Sequence, residues 1–518
     1  MLADRLNKRN VFRNTLLFGT AGILMLAANI MAVLGGLFYE NATCTMFAAN
    51  VVLNVAIVFD LCKHIRRDFP LLIFTVAYDL LLLGRVYVAF FTDFQKILYD
   101  LQADNFQNLF WALEIVTLAY LFVYAAYHLS APLFLKKEQA VRTKGTGAVR
   151  RGPLTPIIRQ ISEFVLFVSS IAFFFVMFQT VLNVWNYGYL GSFTHKADNN
   201  IPSIISRLSF FFPLSFAVFL ATMPSRKQMK VPLILYAVYM LSSLFTGRRN
   251  TFVCEALMLL IYFVLRDSLL PKEKRLLKKK VIFWILVCGV AAMYLLQMMA
   301  EVRAGNSAQQ RGFLGLIENF VYSQGASFRV VMQTVNCWDM FDHHTTYQFL
   351  FYPFEQFVHN NVVISTIFGL KPIVETQSMQ FVLSTHNFAH VLTFMVDPGR
   401  YLSGGGFGTS FVAEAYVAYG MGGVAVISSM IGVVFRFFSS LLTRSWPVIA
   451  LSLLAVKDFV FIPRNFALSW VTNVFSITYL CYLVGIYLVA LLAANLYSHI
   501  RVVPLQLEEA EEVLEAKT

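Results

Sequence analysis

Residues 404–438 read GGGFGTSFVAEAYVAYGMGGVAVISSMIGVVFRFF, and this one run sets out the plan of the molecule. Four of the five residues from Gly404 to Gly408 are glycine. Such a run cannot continue a helix. It suits a loop with positive φ angles and close backbone approach. Thr409 and Ser410 are placed to cap the helix that starts at once. Glu414 follows Ser410 by one turn on the same face. From there to Phe438 the chain is almost purely apolar. A polar loop therefore meets a membrane-type helix, with a carboxylate near the junction. Amides at a helix start attract anions, and a carboxylate can take a proton. The plain alternative is a hinge of glycines beside an interfacial glutamate.

The rest of the chain places that helix among many like it. Of 518 residues, 58% are hydrophobic and 14% are charged, where a soluble chain has about 25% charged. Many apolar runs reach the ~20 residues needed to cross a bilayer. The fold class is an all-α polytopic membrane protein. Twelve spans are expected near 14–38, 44–61, 69–91, 108–134, 160–185, 204–222, 231–246, 251–266, 281–300, 408–436, 447–462 and 466–496. The layout is a bundle of nine spans in 1–300, a large loop in 301–407, three spans in 408–496 and a tail in 497–518. The first apolar run is too long for a signal-peptide core and reads as an uncleaved span.

Lysine and arginine give the orientation. The even-numbered connections and both termini hold 28 of them, while the other side, which includes the longest loop, holds ten. By the positive-inside rule both termini are cytoplasmic and 301–407 faces outward. The net charge of +12 is this bias and not a nucleic-acid footprint. The cytoplasmic connections are short, with no nucleotide-binding glycines and no soluble domain. The six cysteines show neither metal nor redox spacing. No cofactor and no metal site is expected. His343 and His344 with Asp339 and Asp342 match no ligand spacing.

The outward cations are few but pointed. Gly247-Arg248-Arg249-Asn250 is a tight turn between spans 7 and 8. Arg303 directly follows span 9, with Arg311 eight residues on. Arg464 lies between spans 11 and 12. Arg85 sits toward the outer end of span 3, and Arg207 just inside the outer end of span 6. An ionisable residue in a span costs roughly 2.5–3.5 kcal/mol, so it needs a partner or a task. One reading is snorkelling to lipid headgroups. The other is an anionic ligand with several phosphate oxygens, which the planar guanidinium fork suits. The candidates for proton chemistry on this side are Glu414, His386 and His390, with Glu301, Glu375 and Asp397 behind them. His386 and His390 stand at i and i+4 of a presumed helix face.

The signature Gly405-Gly406-Phe407-Gly408-Thr409-Ser410, continuing through Glu414-Ala415-Tyr416 to Gly420, resembles the glycine-rich motif of bacterial O-antigen and capsule repeat-unit polymerases of the Wzy type. The Gly247-Arg248-Arg249 turn resembles that family's Gly-Arg turn, and the layout of about twelve spans with one large loop before the motif is similar too. The resemblance implies a glycosyltransferase-C-like polymerase/ligase architecture in the bacterial cytoplasmic membrane. It implies transfer of a growing glycan from undecaprenyl diphosphate to a hydroxyl of an incoming lipid-linked repeat unit. Candidate partners are these two lipid-linked oligosaccharides, membrane lipid, a chain-length regulator and a flippase. The arginines, with Gly405, Gly406, Gly408, Ser410 and Tyr416, would hold substrate. Glu414 or a loop histidine would act as base. An O-antigen ligase, which uses the same donor, and a lipid-linked sugar flippase or secondary transporter remain as alternatives.

Overall fold

The computed structural model describes residues 2–36, 38–134, 152–194, 201–246, 249–271, 275–278, 280, 281, 283, 287, 289, 291, 294 and 313–515. Among these there is no strand, and ten helices are long and apolar enough to cross a membrane. They run Phe12–Leu34, Phe38–Lys63, Ile65–Thr92, Phe106–Leu129, Thr155–Tyr187, Ser203–Ala221, Arg226–Phe245, Phe411–Ser439, Trp446–Arg464 and Ser469–Leu496. The expected span 251–266 is the helix Arg249–Leu269, which is not among the ten. The expected span 281–300 falls mostly outside the described residues. In a bilayer only helices or closed barrels satisfy every backbone group, and the apolar runs here are far too long for strands.

The chain divides into two compact units. One draws on residues 1–139, 263–440 and 456–472, the other on 140–262, 441–455 and 473–518. In the second unit, Thr155–Thr194 packs on Phe211–Ala221 and on Arg226–Phe245. Buried there is Glu255, which accepts hydrogen bonds from the Tyr236 hydroxyl at 2.6 Å and the Tyr239 hydroxyl at 3.2 Å. Phenol donors from a neighbouring helix satisfy a carboxylate that would otherwise be costly to bury.

The first unit contains the motif helix, Phe411–Ser439. It packs on Phe106–Leu129 and Ile65–Tyr78. The approach to Phe106–Leu129 is backbone to backbone: a Cβ added at Gly432 would fall 2.2 Å from the Val123 carbonyl oxygen. Small residues at such a crossing are how membrane helices gain dispersion contacts where there is no hydrophobic driving force. The motif helix is also broken. Tyr419 and Gly420 leave helical geometry, with Gly420 at φ 58° and ψ −147°, a combination reserved for glycine. The span Ile65–Thr92 is interrupted too, by a π turn at Asp79–Leu83. There Tyr87 donates to Asp79 at 3.3 Å and Asn54 donates to Tyr87 at 2.8 Å, so the irregular turn is joined to the neighbouring helix.

The described part of the long loop, from residue 313, is largely helical, as its mixed polarity suggests. Phe313–Gln324, Ser327–Asn336 and Tyr347–Asn360 are followed by the shorter Val362–Phe368, Met379–Ser384, Phe388–Val396 and Pro398–Leu402. The first packs on Gly84–Thr92, the second on Phe106–Leu129, and the second and third on the motif helix.

Gly432→Ala places a methyl against the Val123 carbonyl and is expected to cost about 1–3 kcal/mol. Gly422→Ala, where a Cβ meets nothing within 4 Å, is the matched control. Thermal unfolding in detergent should show a lowered midpoint for the first and not for the second.

Candidate functional site

The glycine run forms the loop that the sequence calls for, and its shape is specific. Gly404 and Gly408 have φ of 92° and 79°. Gly405 has no room for a side chain, because a Cβ there would fall 2.7 Å from Arg400 Cγ. The loop is fastened at three points. The Gly405 amide donates to the Arg400 carbonyl at 2.9 Å, Gln377 Nε2 donates to the Gly405 carbonyl at 2.9 Å, and the Phe407 amide donates to Thr393 Oγ1 at 3.1 Å.

The helix start differs from the expected cap. Ser410 occupies the N-cap position, but its fully buried hydroxyl makes no hydrogen bond. Thr409 turns to Glu414 instead and donates to its Oε1. Glu414 Oε2 accepts the Ala467 amide at 2.9 Å. The glutamate is 0% exposed. Its carboxylate therefore joins the glycine loop to a turn 53 residues later in the chain. Arg464 lies three residues before Ala467, at the end of the 3-10 turn Ile462–Arg464.

His386 and His390 do not share a helix face. Asn387 is the N-cap of Phe388–Val396 and accepts the amides of Ala389 and His390, so His386 stands outside the helix. An asparagine side chain competes well for those orphan amides, and the helix begins there. Each histidine is nevertheless oriented through Nδ1. Glu355 Oε2 can only accept, so His386 Nδ1 donates to it at 2.8 Å. Tyr401 gives its hydroxyl proton to the Thr376 carbonyl at 3.2 Å, so it accepts from His390 Nδ1 at 3.0 Å. In both rings Nε2 is left as the basic nitrogen. Burial pulls the His390 pKa below its ordinary value, and Glu375 opposes this in part. His390 is therefore neutral at pH 7. Glu375 itself accepts from Tyr352, Asn387 and Gln356 at 2.7, 2.9 and 3.1 Å. Asp397 caps Pro398–Leu402.

The cations beside the loop include two that the sequence reading left out. The Arg329 guanidinium lies 4.0 Å over the Phe407 ring, and that of Arg400 lies 5.1 Å over it. Arg85 joins them through the turn at Gly325, where a Cβ would sit 2.0 Å from the Arg85 amide nitrogen. Arg85 also lies 4.5 Å over the Tyr322 ring and donates to the Tyr322 carbonyl at 3.3 Å. Burial, then Arg400 and Arg85, push the Arg329 pKa down to about 10, with Asp397 the one opposing charge. Arg329 stays charged at neutral pH, and its buried Nε has no hydrogen-bond partner. Arg329 was visible in the sequence only as a charge in an apolar loop, and Arg400 only as a basic residue before the glycines.

A family model described as O-antigen polysaccharide polymerase Wzy matches residues 22–495. The chain belongs to that family. No curated relative and no solved structure matches it. In this Wzy polymerase the motif glycines, Ser410, Glu414, Tyr416, Arg85, Arg464, His386 and His390 all fall in one compact unit. The Tyr416 ring lies 4.6 Å from that of Trp338, tilted by 41°. Arg207 is exposed in the second unit, and Arg249 opens a helix there. Arg248, Arg303, Arg311 and the Arg249 side chain lie outside the described residues.

Glu414→Gln can keep both contacts, its oxygen on the Ala467 amide and its NH₂ on Thr409 Oγ1. Glu414→Ala strands two buried groups at about 1–3 kcal/mol each. In a reconstituted polymerisation assay the glutamine variant should stay within a few-fold of wild type, and the alanine variant should unfold at lower temperature. A loss of about 10²–10⁴-fold in the glutamine variant, at normal protein level, would instead make Glu414 the base.

Proposed function

We propose that this Wzy polymerase transfers a glycan chain from undecaprenyl diphosphate to a hydroxyl of an incoming lipid-linked repeat unit on the outer face of the membrane. The observation that carries the reading is the pairing, around the glycine loop, of an under-compensated arginine cluster with an oriented neutral histidine. Thr393, which binds the Phe407 amide, is one turn from His390 on the same helix, so loop, cations and base share one framework.

In this scheme His390 Nε2 takes the proton of the acceptor hydroxyl, and the hydroxyl oxygen attacks the anomeric carbon of the donor chain. The bond from that carbon to the diphosphate oxygen breaks, and the electron pair leaves with undecaprenyl diphosphate. Arg329, Arg400 and Arg85 stabilise the growing charge on the diphosphate. Glu414 is a positioning residue that holds the loop, and His386, oriented by Glu355, is the second candidate base. Arg248, Arg249, Arg303, Arg311, Arg464 and Arg207 remain candidates for contacts to the lipid-linked substrates. A flippase would deliver the repeat unit and a chain-length regulator would act alongside. Purified protein given a defined lipid-linked repeat unit should form a ladder of polymers, and failure to do so would remove the reading.

The base assignment has a pH signature. A base works only unprotonated, so the rate should rise with pH through a value below the ordinary histidine pKa of about 6.5 and be level by pH 7. His390→Ala should cost about 10²–10⁴-fold and abolish that rise. A His390→Ala enzyme with normal rate and profile would pass the role to His386.

The orientation follows from the Lys/Arg bias, which puts both termini in the cytoplasm and the loop outside. Reporter fusions at residue 350 and at the C-terminus should give opposite signals, and equal signals would break the scheme.

A further inference from the structure

On the other side of the motif helix from the Thr409–Glu414 contact there is a second polar feature that the scheme above does not use. Glu114 lies two turns into Phe106–Leu129 and is 7% exposed, and its Oε2 has no hydrogen-bond partner. Asn29 is its hydrogen-bonding neighbour, and the Tyr416 phenol lies within its electrostatic reach. A buried carboxylate oxygen with no donor is expensive to keep, so a donor is expected from outside the chain. Tyr416 is half-buried, Trp338 is half-buried and 4.6 Å from it, and exposed His343 lies 4.4 Å from Trp338.

We propose that Glu114, Tyr416, Trp338 and His343 form a saccharide subsite that takes a pyranose ring of the lipid-linked oligosaccharide. The proposal rests on the polymerase reading and names where the glycan lies. A sugar presents hydroxyl donors on its rim and apolar C–H groups on its faces. The carboxylate suits the first and the aromatic rings suit the second. No lysine or arginine contributes to this group, so it does not select a phosphate. Its place fits a substrate with a diphosphate at one end. Arg329 is in the first turn of Ser327–Asn336, and Trp338 lies just beyond the last. The rise along that helix separates the two by roughly 13 Å, the span of a short oligosaccharide.

The test measures binding to the purified full chain in nanodiscs with two probes. One is the soluble oligosaccharide repeat unit released from the producing cell's own surface polysaccharide. The other is undecaprenyl diphosphate without sugar. Glu114→Gln preserves shape and weakens a charge-assisted contact, and it should raise the Kd for the oligosaccharide roughly tenfold or more. Trp338→Ala should do the same, and Trp338→Phe should recover most of the loss. Neither Glu114→Gln nor Trp338→Ala should change the Kd for undecaprenyl diphosphate, whereas Arg329→Ala should weaken that probe. The proposal is overturned if Glu114→Gln and Trp338→Ala bind the oligosaccharide as wild type does, or if they weaken both probes equally, which would mark a damaged fold. Wild-type protein that forms no ladder and binds neither probe would overturn the polymerase reading, and this proposal with it.

Discussion

The structure of the motif depends on one buried carboxylate. Glu414 has no access to water, so both of its carboxyl oxygens need partners inside the protein. One donor is the Thr409 hydroxyl at the end of the glycine loop, and the other is the Ala467 amide in a distant turn. The requirement to satisfy Glu414 therefore fixes where the loop ends and which turn sits beside it. Once the end of the loop is set, Phe407 is delivered to Thr393, and its ring becomes the surface on which Arg329 and Arg400 rest.

The second constraint is electrostatic. Burial, and then Arg400 and Arg85 close beside it, depress the proton affinity of Arg329, and Asp397 opposes them in part. Mutual repulsion of this kind costs stability and is relieved by an anion. It is the arrangement expected where negative charge develops during a reaction, since the cations are already in place and need not reorganise. The neutral histidine has the complementary property. Burial holds it unprotonated, and Tyr401 fixes which nitrogen is basic. A charged arginine cluster and a neutral imidazole thus stand on one loop-and-helix framework, and the proposed transfer rests on that pairing.

Glycine has two distinct uses in this frame. At Gly408 and Gly420 it permits a positive φ that other residues rarely adopt. At Gly432 and Gly325 it permits contact, letting one helix touch the backbone of Phe106–Leu129 and a loop turn touch the backbone at Arg85. The second use brings Arg85 beside Arg329 although 244 positions separate them in the sequence.

By itself the sequence determined the class and the outline. Apolar runs of membrane length can only be helices, so the all-α polytopic fold followed from composition and run length. The glycine run and the acid one turn into the next helix marked the motif, because loop chemistry and helical spacing are local properties. The tertiary structure decided what those residues touch. Sequence spacing put His386 and His390 on one helix face, but Asn387 starts the helix between them. Ser410 and Thr409 were equal candidates for a cap, and only the distant Ala467 amide shows why Glu414 draws in Thr409. Arg329 and Arg400 had no motif to announce them. Their meaning comes from sharing the Phe407 ring, a contact between segments far apart in the chain. Local patterns are written in neighbouring residues, whereas which charges end up adjacent is set by packing over the whole unit.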